Sequence, residues 1–299
     1  MTRTSMTARI AIAAACCIRL LTPASASALT PEQIRRAYLD LMLSRAAYDL
    51  SIKQVDGDWR QLDTFDDRLG LKAAAYERRG ANGSREIVVA FAGTDDFGDV
   101  LADIRQGKPW YEISLGSWLT HRKFEQAVAF AERYVRIKDK DGNCSVRVVG
   151  HSLGGALAQY VSARLGILAR VFNSSALASK THDIPAILRS VPARQIEQYF
   201  LSDDPVHEWT AKLPGAHQLG TPYELERPAG LDTGNFGGRL LANHSIEALS
   251  LAMEAAYLKA ARGANASSDR DGVDLGAGDI LHLPSDLQDK RSSILRNAR

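Results

Sequence analysis

Three residue types that act together on acyl carbonyls occur in this chain in a recognisable order. Ser152 stands in the run VRVVGHSLGG. Asp204 follows it in QYFLSDDPVHEW, and His244 comes later in ANHSIEALSLAM. A histidine oriented by an acid can take the proton of a serine hydroxyl, which then attacks an ester or amide carbonyl. Ser152, Asp204 and His244 are therefore the candidate catalytic residues.

The surroundings of Ser152 are those that a nucleophile needs. Residues 145–150 predict a strand and the run ALAQYVSARLG predicts a helix. A serine on a sharp strand-to-helix turn is strained, so the residues two before and two after it must be small. Gly150 and Gly154 meet that need, and the Leu153 amide at the helix N-terminus can donate to an oxyanion. In the alternative interpretation, Ser152 only caps the helix.

The choice of His244 rests on chain order. The chain has seven histidines, and His244 follows the acid and precedes an amphipathic helix. His151 is adjacent to the serine and is expected to point away from it across the turn. Order alone leaves His217 and His282 open, whereas the remaining three precede the acid or lie too close to it.

Strands alternate with helices along the chain, which predicts an α/β fold with a mostly parallel central sheet covered by helices on both faces. Thr30, Pro31 and Gln33 form a capping-box start for the first helix. Two strands are expected around a turn at residues 81–83, the second at 87–91 being buried. Further strands are expected at 145–150, 169–173, 196–202 and 223–225, and helices at 121–138, 153–167, 183–189 and 245–261.

Composition narrows the class of protein. The chain has 299 residues, 45% of them hydrophobic, which is enough for one large α/β domain. With 24% charged residues and a net charge of +2, nothing predicts nucleic-acid binding. No apolar run reaches the roughly 18 residues of a transmembrane helix.

The first 28 residues have the layout of a signal peptide. Arg3 and Arg9 precede an apolar stretch, and small residues with Ala-x-Ala patterns favour cleavage after Ala26 or Ala28. This predicts a secreted or periplasmic protein. A lipoprotein anchor at Cys17 is the lesser alternative.

The remainder divides into a hydrolase domain at 29–262 and a polar tail at 263–299, which is a candidate for disorder. The tail contains the acidic run DRDGVD, but the spacing does not match an EF-hand loop and no ligating Glu closes it. We therefore predict neither a metal site nor a cofactor.

Five segments together resemble the lipase class 3 family. They are IVVAFAGTDDFGDVLADI, HRKF, VVGHSLGGALAQ, SDDPV and NHSIEAL, and they span about residues 48–252. The serine motif is shared by many hydrolases, whereas the first segment is more specific. The resemblance implies the α/β-hydrolase fold.

The resemblance also implies roles for single residues. Thr94 corresponds to the hydroxyl residue that stabilises the oxyanion, together with the Leu153 amide. The segment SDDPV resembles the family's Asp-x-Val and selects Asp204 over Asp203. His244 matches the catalytic histidine.

The chain departs from the family pattern at two positions. Ala92 stands where Arg is common, so a supporting ion pair of the family is missing. Lys123 replaces a glycine in HRKF, the segment in which the resemblance makes His121 structural.

Aromatic and aliphatic residues are concentrated in the run GKPWYEISLGSWL, at 107–119. In similar lipases this region is the lid over the acyl site, and a lid with aromatic side chains favours lipid surfaces. The candidate lid residues are Trp110, Tyr111, Ile113 and Trp118. In the alternative interpretation they pack in the core.

Together these features predict a secreted serine hydrolase of carboxylic esters, acting on acylglycerols or phospholipids at a membrane or micelle surface. A feruloyl esterase or polyesterase fits the same residues, because pocket shape sets acyl specificity. Acyl transfer to an alcohol other than water is a further option. A catalytically weak lipid-binding module on this fold is the non-enzymatic alternative.

Overall fold

The fold was analysed in a computed structural model, which describes residues 29–56, 58–67, 70–94, 121–178, 191–192, 194–212, 216–227 and 242–267. Several predicted features lie outside these residues: the signal peptide at 1–28, the helix at 183–189, the tail from 268 onward, and the lid residues Trp110, Tyr111, Ile113 and Trp118.

The strands, in chain order, are β1 (Gln54–Val55), β2 (Trp59–Asp66), β3 (Lys72–Arg79), β4 (Arg85–Phe91), β5 (Cys144–His151), β6 (Leu168–Phe172), β7 (Leu177–Ala178), β8 (Ile196–Leu201), β9 (Ala216–His217) and β10 (Thr221–Leu225). Eight of the described strands form one sheet in the order β1-β2-β3-β4-β5-β6-β8-β10, and β7 pairs with β9 separately.

The described helices are α1 (Pro31–Ala46), α2 (His121–Lys140), α3 (Leu153–Leu165), α4 (Pro205–Ala211) and α5 (Ile246–Ser267). The last helix continues to Ser267, beyond the end expected at Ala261. Within the described ranges, no helix combines the length and the apolar character needed to cross a bilayer.

The capping box predicted for α1 is confirmed. The Thr30 hydroxyl accepts a hydrogen bond from the Gln33 amide at 3.2 Å. The Gln33 side-chain oxygen accepts one from the Thr30 amide at 2.9 Å. These two bonds satisfy amides that the first turn of a helix otherwise leaves unpaired.

The strands from β4 to β10 in the sheet run parallel, whereas β1 to β4 extend it as an antiparallel edge. The parallel half brings the carboxyl ends of β4, β5, β6 and β8 to one edge, where ligands bind in open α/β sheets. The sequence did not predict β2. Its polar residues Gln61 and Asp63 obscure the alternation, and its register shifts between them.

The two faces of the sheet bury separate apolar clusters. Val88, Ala90 and Val149 pack against α1 and α5. Ile87 and Val89 point to the other face and pack against α2 and α3. This alternation confirms a central sheet with helices on both faces.

A buried ion-pair network joins α1 to the sheet. Asp40 of α1 is fully buried and binds Arg147 of β5 at 2.9 Å and Arg170 of β6 at 2.7 Å. Arg147 also binds Glu86 of β4 at 3.0 Å, and Arg170 binds Glu197 of β8 at 2.5 Å. The two central strands thus carry arginines and the two outer strands carry glutamates, and Asp40 of α1 lies between the two arginines.

The Asp40 carboxylate is stabilised in its charged form. Burial by itself would raise the pKa of Asp40, but the charges and hydrogen bonds of Arg147 and Arg170 outweigh burial and lower it. The carboxylate therefore stays ionised at neutral pH and compensates both guanidinium groups.

We predict that Asp40→Asn lowers the free energy of unfolding by about 3 to 5 kcal/mol at pH 7, because it leaves buried arginine charges without their partner. Urea unfolding measures the change. Glu32→Gln is the control, because Glu32 forms an exposed pair with Arg36 and exposed pairs contribute about 1 kcal/mol or less.

The difference in stability between the parent and Asp40→Asn should also depend on pH. Since the pKa of Asp40 is lowered in the folded protein, its stabilisation is complete above the pKa of an unfolded Asp, about 3.9. It is lost as the pH falls through the folded value. The stabilities of the parent and Asp40→Asn should therefore converge in acid. A loss equal to that of Glu32→Gln at pH 7 would contradict the assigned role.

Candidate active site

Ser152 occupies a strained turn between β5 and α3. The strand ends at His151 and the helix begins at Leu153, so one residue redirects the chain. The Ser152 backbone has φ 58° and ψ −126°, and non-glycine residues rarely adopt such a positive φ. A strained serine between a strand and a helix has the geometry of a nucleophile elbow.

Two glycines make this turn sterically possible. A Cβ at Gly150 would overlap the carbonyl group of Gly154. A Cβ at Gly154 would overlap the carbonyl oxygen of Phe91 at the end of β4. Both clashes are with backbone atoms, so any larger residue would push β4, β5 and α3 apart.

The side chain of Ser152 is not a helix cap. In α3, which the structure describes in full, no backbone amide donates to the Ser152 hydroxyl. The backbone oxygen of Ser152 accepts from the amides of Gly155 at 3.0 Å and Ser175 at 3.2 Å. The capping interpretation is therefore wrong, and the hydroxyl is not committed to holding the helix.

The end of β4 brings Thr94 to the elbow. Phe91 pairs with Gly150 in register, and a Cβ at Gly93 would lie 3.0 Å from the Cβ of Ser152. Thr94 comes next in the chain and is half-buried. On the other side, Leu153 is the first residue of α3, where helix amides lack intrahelical partners. Thr94 and Leu153 therefore both lie close to Ser152.

Asp204 and His244 form a buried pair. His244 Nδ1 lies 2.8 Å from Asp204 Oδ2, and their side chains are 3% and 0% exposed. Asp204 Oδ1 accepts from the His207 amide at 2.6 Å in the first turn of α4, so both carboxylate oxygens are engaged. Asp203 is exposed and has φ 66°. Of the two neighbouring acids, the structure brings Asp204 to the histidine.

The pairing defines what the imidazole can do. An ionised carboxylate only accepts hydrogen bonds, so Nδ1 of His244 carries the proton and donates it to Asp204. Nε2 is then the basic nitrogen. An acid that fixes this tautomer and stabilises the imidazolium is the role of the third member of a serine triad.

Sequence reasoning missed Asn173, which links the acid and base segments. Its side-chain nitrogen donates to the Asn243 carbonyl at 3.1 Å, and its side-chain oxygen accepts from the Leu201 amide at 3.0 Å. Asn173 is fully buried with φ 42°, a conformation in which Asn is enriched. A single Asn after a strand gives no signal in the sequence that would have identified it.

His151 contacts His244, although the sequence placed it away from the site. The two rings have centroids 4.8 Å apart, tilted by 35°. His151 Nε2 lies 2.8 Å from the His244 carbonyl oxygen, and Nδ1 lies 2.9 Å from the Tyr48 hydroxyl. The chain turns sharply at Ser152, and His151, the last residue of β5, packs against the ring of His244.

Two of the other histidines lie in described elements away from the ends of β5 and β8. His217 lies in β9, where it pairs with Leu177, and His282 lies outside the described residues. His121 begins α2. No group of three or more His, Cys, Asp or Glu suited to a metal ion occurs in the part of the chain that the structure describes.

Comparison with known proteins finds similarity both by sequence and by fold. The extracellular phospholipase A1 of Serratia liquefaciens is 28% identical over 151 residues. The match covers 48% of this chain and 43% of that relative, so the chain spans less than half of its length. A triacylglycerol lipase from Penicillium expansum superimposes with a TM-score of 0.50 at 17% identity, covering 66% of this chain and 82% of that one.

The structural likeness confirms the predicted α/β-hydrolase fold. The family model for Tle-like phospholipase domains, described as phospholipase-like, matches residues 36–213. That range includes Ser152 and Asp204 and covers more than half of the chain. The resemblance to class 3 lipases is thereby confirmed, and the chain belongs to the phospholipase-like family of Tle-like phospholipase domains.

Proposed function

We propose that this protein is a serine hydrolase that cleaves the carboxylic esters of lipids, with Ser152 as nucleophile, His244 as general base and Asp204 as its orienting acid. One observation carries the proposal. His244, which is paired with the buried Asp204, packs directly on His151, the residue that precedes the strained serine. Family membership independently supports an ester hydrolase.

In the acylation step, Ser152 Oγ attacks the ester carbonyl carbon while its proton passes to His244 Nε2. The negative charge that develops on the carbonyl oxygen is stabilised by Thr94 and by the Leu153 amide. The bond from carbon to the alcohol oxygen then breaks, and the alcohol leaves with the proton from His244. An acyl-serine remains.

In the deacylation step, His244 takes a proton from water, and the resulting nucleophile attacks the acyl-serine. The tetrahedral intermediate collapses, the fatty acid leaves, and Ser152 recovers its proton from His244. The Asp204 carboxylate remains ionised throughout and stabilises the imidazolium in both steps. No cofactor enters either step.

The proposed substrates are phospholipids first and acylglycerols second. The family model supports this order because it describes phospholipase-like domains, and the Serratia relative is named a phospholipase A1. Trp110, Tyr111, Ile113 and Trp118 remain a proposed lid for a lipid surface. Secretion through residues 1–28 also remains a proposal, supported by the extracellular relative.

We predict that Ser152→Ala and His244→Ala each lower kcat on p-nitrophenyl esters by about 10⁶-fold, as in other triads. The matched controls are Ser145→Ala, at an exposed site on the same strand, and His217→Ala. Both should retain parental rates and melting temperatures. Parental activity in Ser152→Ala, or loss of activity in His217→Ala alone, would contradict the assignment.

The two adjacent acids allow a sharper comparison. Asp204→Asn should lower kcat about 10⁴-fold, because the amide favours the wrong tautomer of His244. Asp203→Asn should leave kcat unchanged, since Asp203 is exposed and Asn tolerates its positive φ. Steady-state kinetics of the two variants measures this difference. Equal losses would refute Asp204 as the orienting acid.

Substrate class is tested with phospholipid vesicles and triacylglycerol emulsions incubated with the parent and with Ser152→Ala. We expect the parent to release fatty acid and lysophospholipid faster than it cleaves triacylglycerol. Mass spectrometry of phospholipids with different acyl chains at the two positions identifies the ester that is cut. Cleavage of feruloyl or polymeric esters with no release from either lipid would overturn the lipid proposal.

A further inference from the structure

A hydrogen-bonded chain runs from the end of α1 to the base of the proposed triad. The Tyr48 hydroxyl lies 2.9 Å from His151 Nδ1. The opposite nitrogen of the same ring, Nε2, lies 2.8 Å from the main-chain oxygen of His244. Tyr48 and His151 therefore reach the backbone of the residue whose side chain binds Asp204.

The direction of each bond follows from the acceptor at its end. A carbonyl oxygen can only accept, so His151 Nε2 must carry a proton. Burial, followed by the neighbouring His244, lowers the pKa of His151 well below its ordinary value, so the ring is neutral and Nδ1 carries a lone pair. The Tyr48 hydroxyl then donates to Nδ1. The result is one fixed tautomer of His151.

The neutral state of His151 matters because the His244 ring lies beside it. The His151 and His244 rings are 4.8 Å apart at their centroids, and His244 becomes a cation during catalysis. A second positive charge at that distance would destabilise the imidazolium. The titratable groups that face His151 in the described structure are Tyr48, from the segment after α1, and His244, from the segment before α5.

The position of Tyr48 is itself constrained. Its amide donates to the Arg45 carbonyl at 3.1 Å, so it continues directly from α1. A Cβ at Gly93 would overlap the Tyr48 hydroxyl, which means that the absence of a side chain at 93 makes room for it. The Tyr48 hydroxyl therefore lies between the His151 ring and Gly93, the residue before Thr94.

We propose that Tyr48 and His151 are positioning residues for His244: His151 holds the His244 main chain and presents an uncharged ring to its imidazole, and Tyr48 fixes the His151 tautomer that does so. The inference rests on the proposed function, since it assigns His244 the role of base. Neither residue contacts the reacting atoms in this scheme.

The first test uses Tyr48→Phe, which removes one oxygen atom. We expect kcat on p-nitrophenyl esters to fall about three- to tenfold, the equivalent of one hydrogen bond, with KM unchanged. Tyr134→Phe is the matched control, because its hydroxyl donates to Asp63 on β2 at 3.2 Å. It should keep the parental kcat, and both variants should melt close to the parent.

The second test separates the hydrogen bond from packing at residue 151. His151→Gln retains a side-chain donor for the His244 carbonyl, whereas His151→Leu does not. Gln should therefore recover much of the kcat that Leu loses. Adding Tyr48→Phe to His151→Leu should cost nothing more, since the two residues act in series. Additive losses in the double variant would overturn the inference, even if His151→Leu is less stable.

The third test does not depend on activity. In protein labelled with ¹⁵N-histidine, NMR at the pH of the activity assays should find His151 neutral and protonated at Nε2. Protonation at Nδ1, or titration near pH 6.5, would overturn the proposed tautomer. A parent enzyme without ester activity would be a failure of the proposed function. An active parent, inactive Ser152→Ala and unchanged Tyr48→Phe would be a failure of this inference alone.

Discussion

The strained backbone of Ser152 is the constraint on which the rest of the site depends. A single residue at φ 58° joins β5 to α3, so the first turn of the helix returns against the end of β4. The flanking glycines permit an approach that any Cβ would prevent. The same close packing brings the segment with Thr94 beside the serine. Strain at one residue is thus the local consequence of bringing Ser152, Thr94 and Leu153 together from three different elements.

The histidine segment is held by its main chain as well as by its side chain. Asn173 from the end of β6 donates to the carbonyl of Asn243, and His151 from the end of β5 lies in hydrogen-bonding distance of the carbonyl of His244. Two consecutive carbonyls are therefore tied to two adjacent parallel strands. With the main chain of His244 held in this way, few rotations remain that could turn its imidazole away from Asp204.

The sequence predicted what is encoded locally. The elbow, the capping box at Thr30 and the buried strand β4 each depend on a short run of residues, and each appears in the structure. The roles of His151 and Asn173 depend on contacts between segments about 70 to 103 residues apart. Hydrophobic periodicity in the sequence does not reveal such contacts. The antiparallel strand β2 was missed for a related reason, since its polar residues pack against neighbours rather than follow an alternating pattern.

The ion pairs beneath α1 also select the register of the sheet. Side chains alternate between the faces of a strand, so a slip of one residue moves every side chain to the opposite face. In β5 or β6 such a slip would carry Arg147 or Arg170 into the apolar layer against α2 and α3, away from Asp40. The mispaired sheet would bury an uncompensated charge, at a cost of several kcal/mol. The network therefore favours the native register over misaligned pairings of the strands.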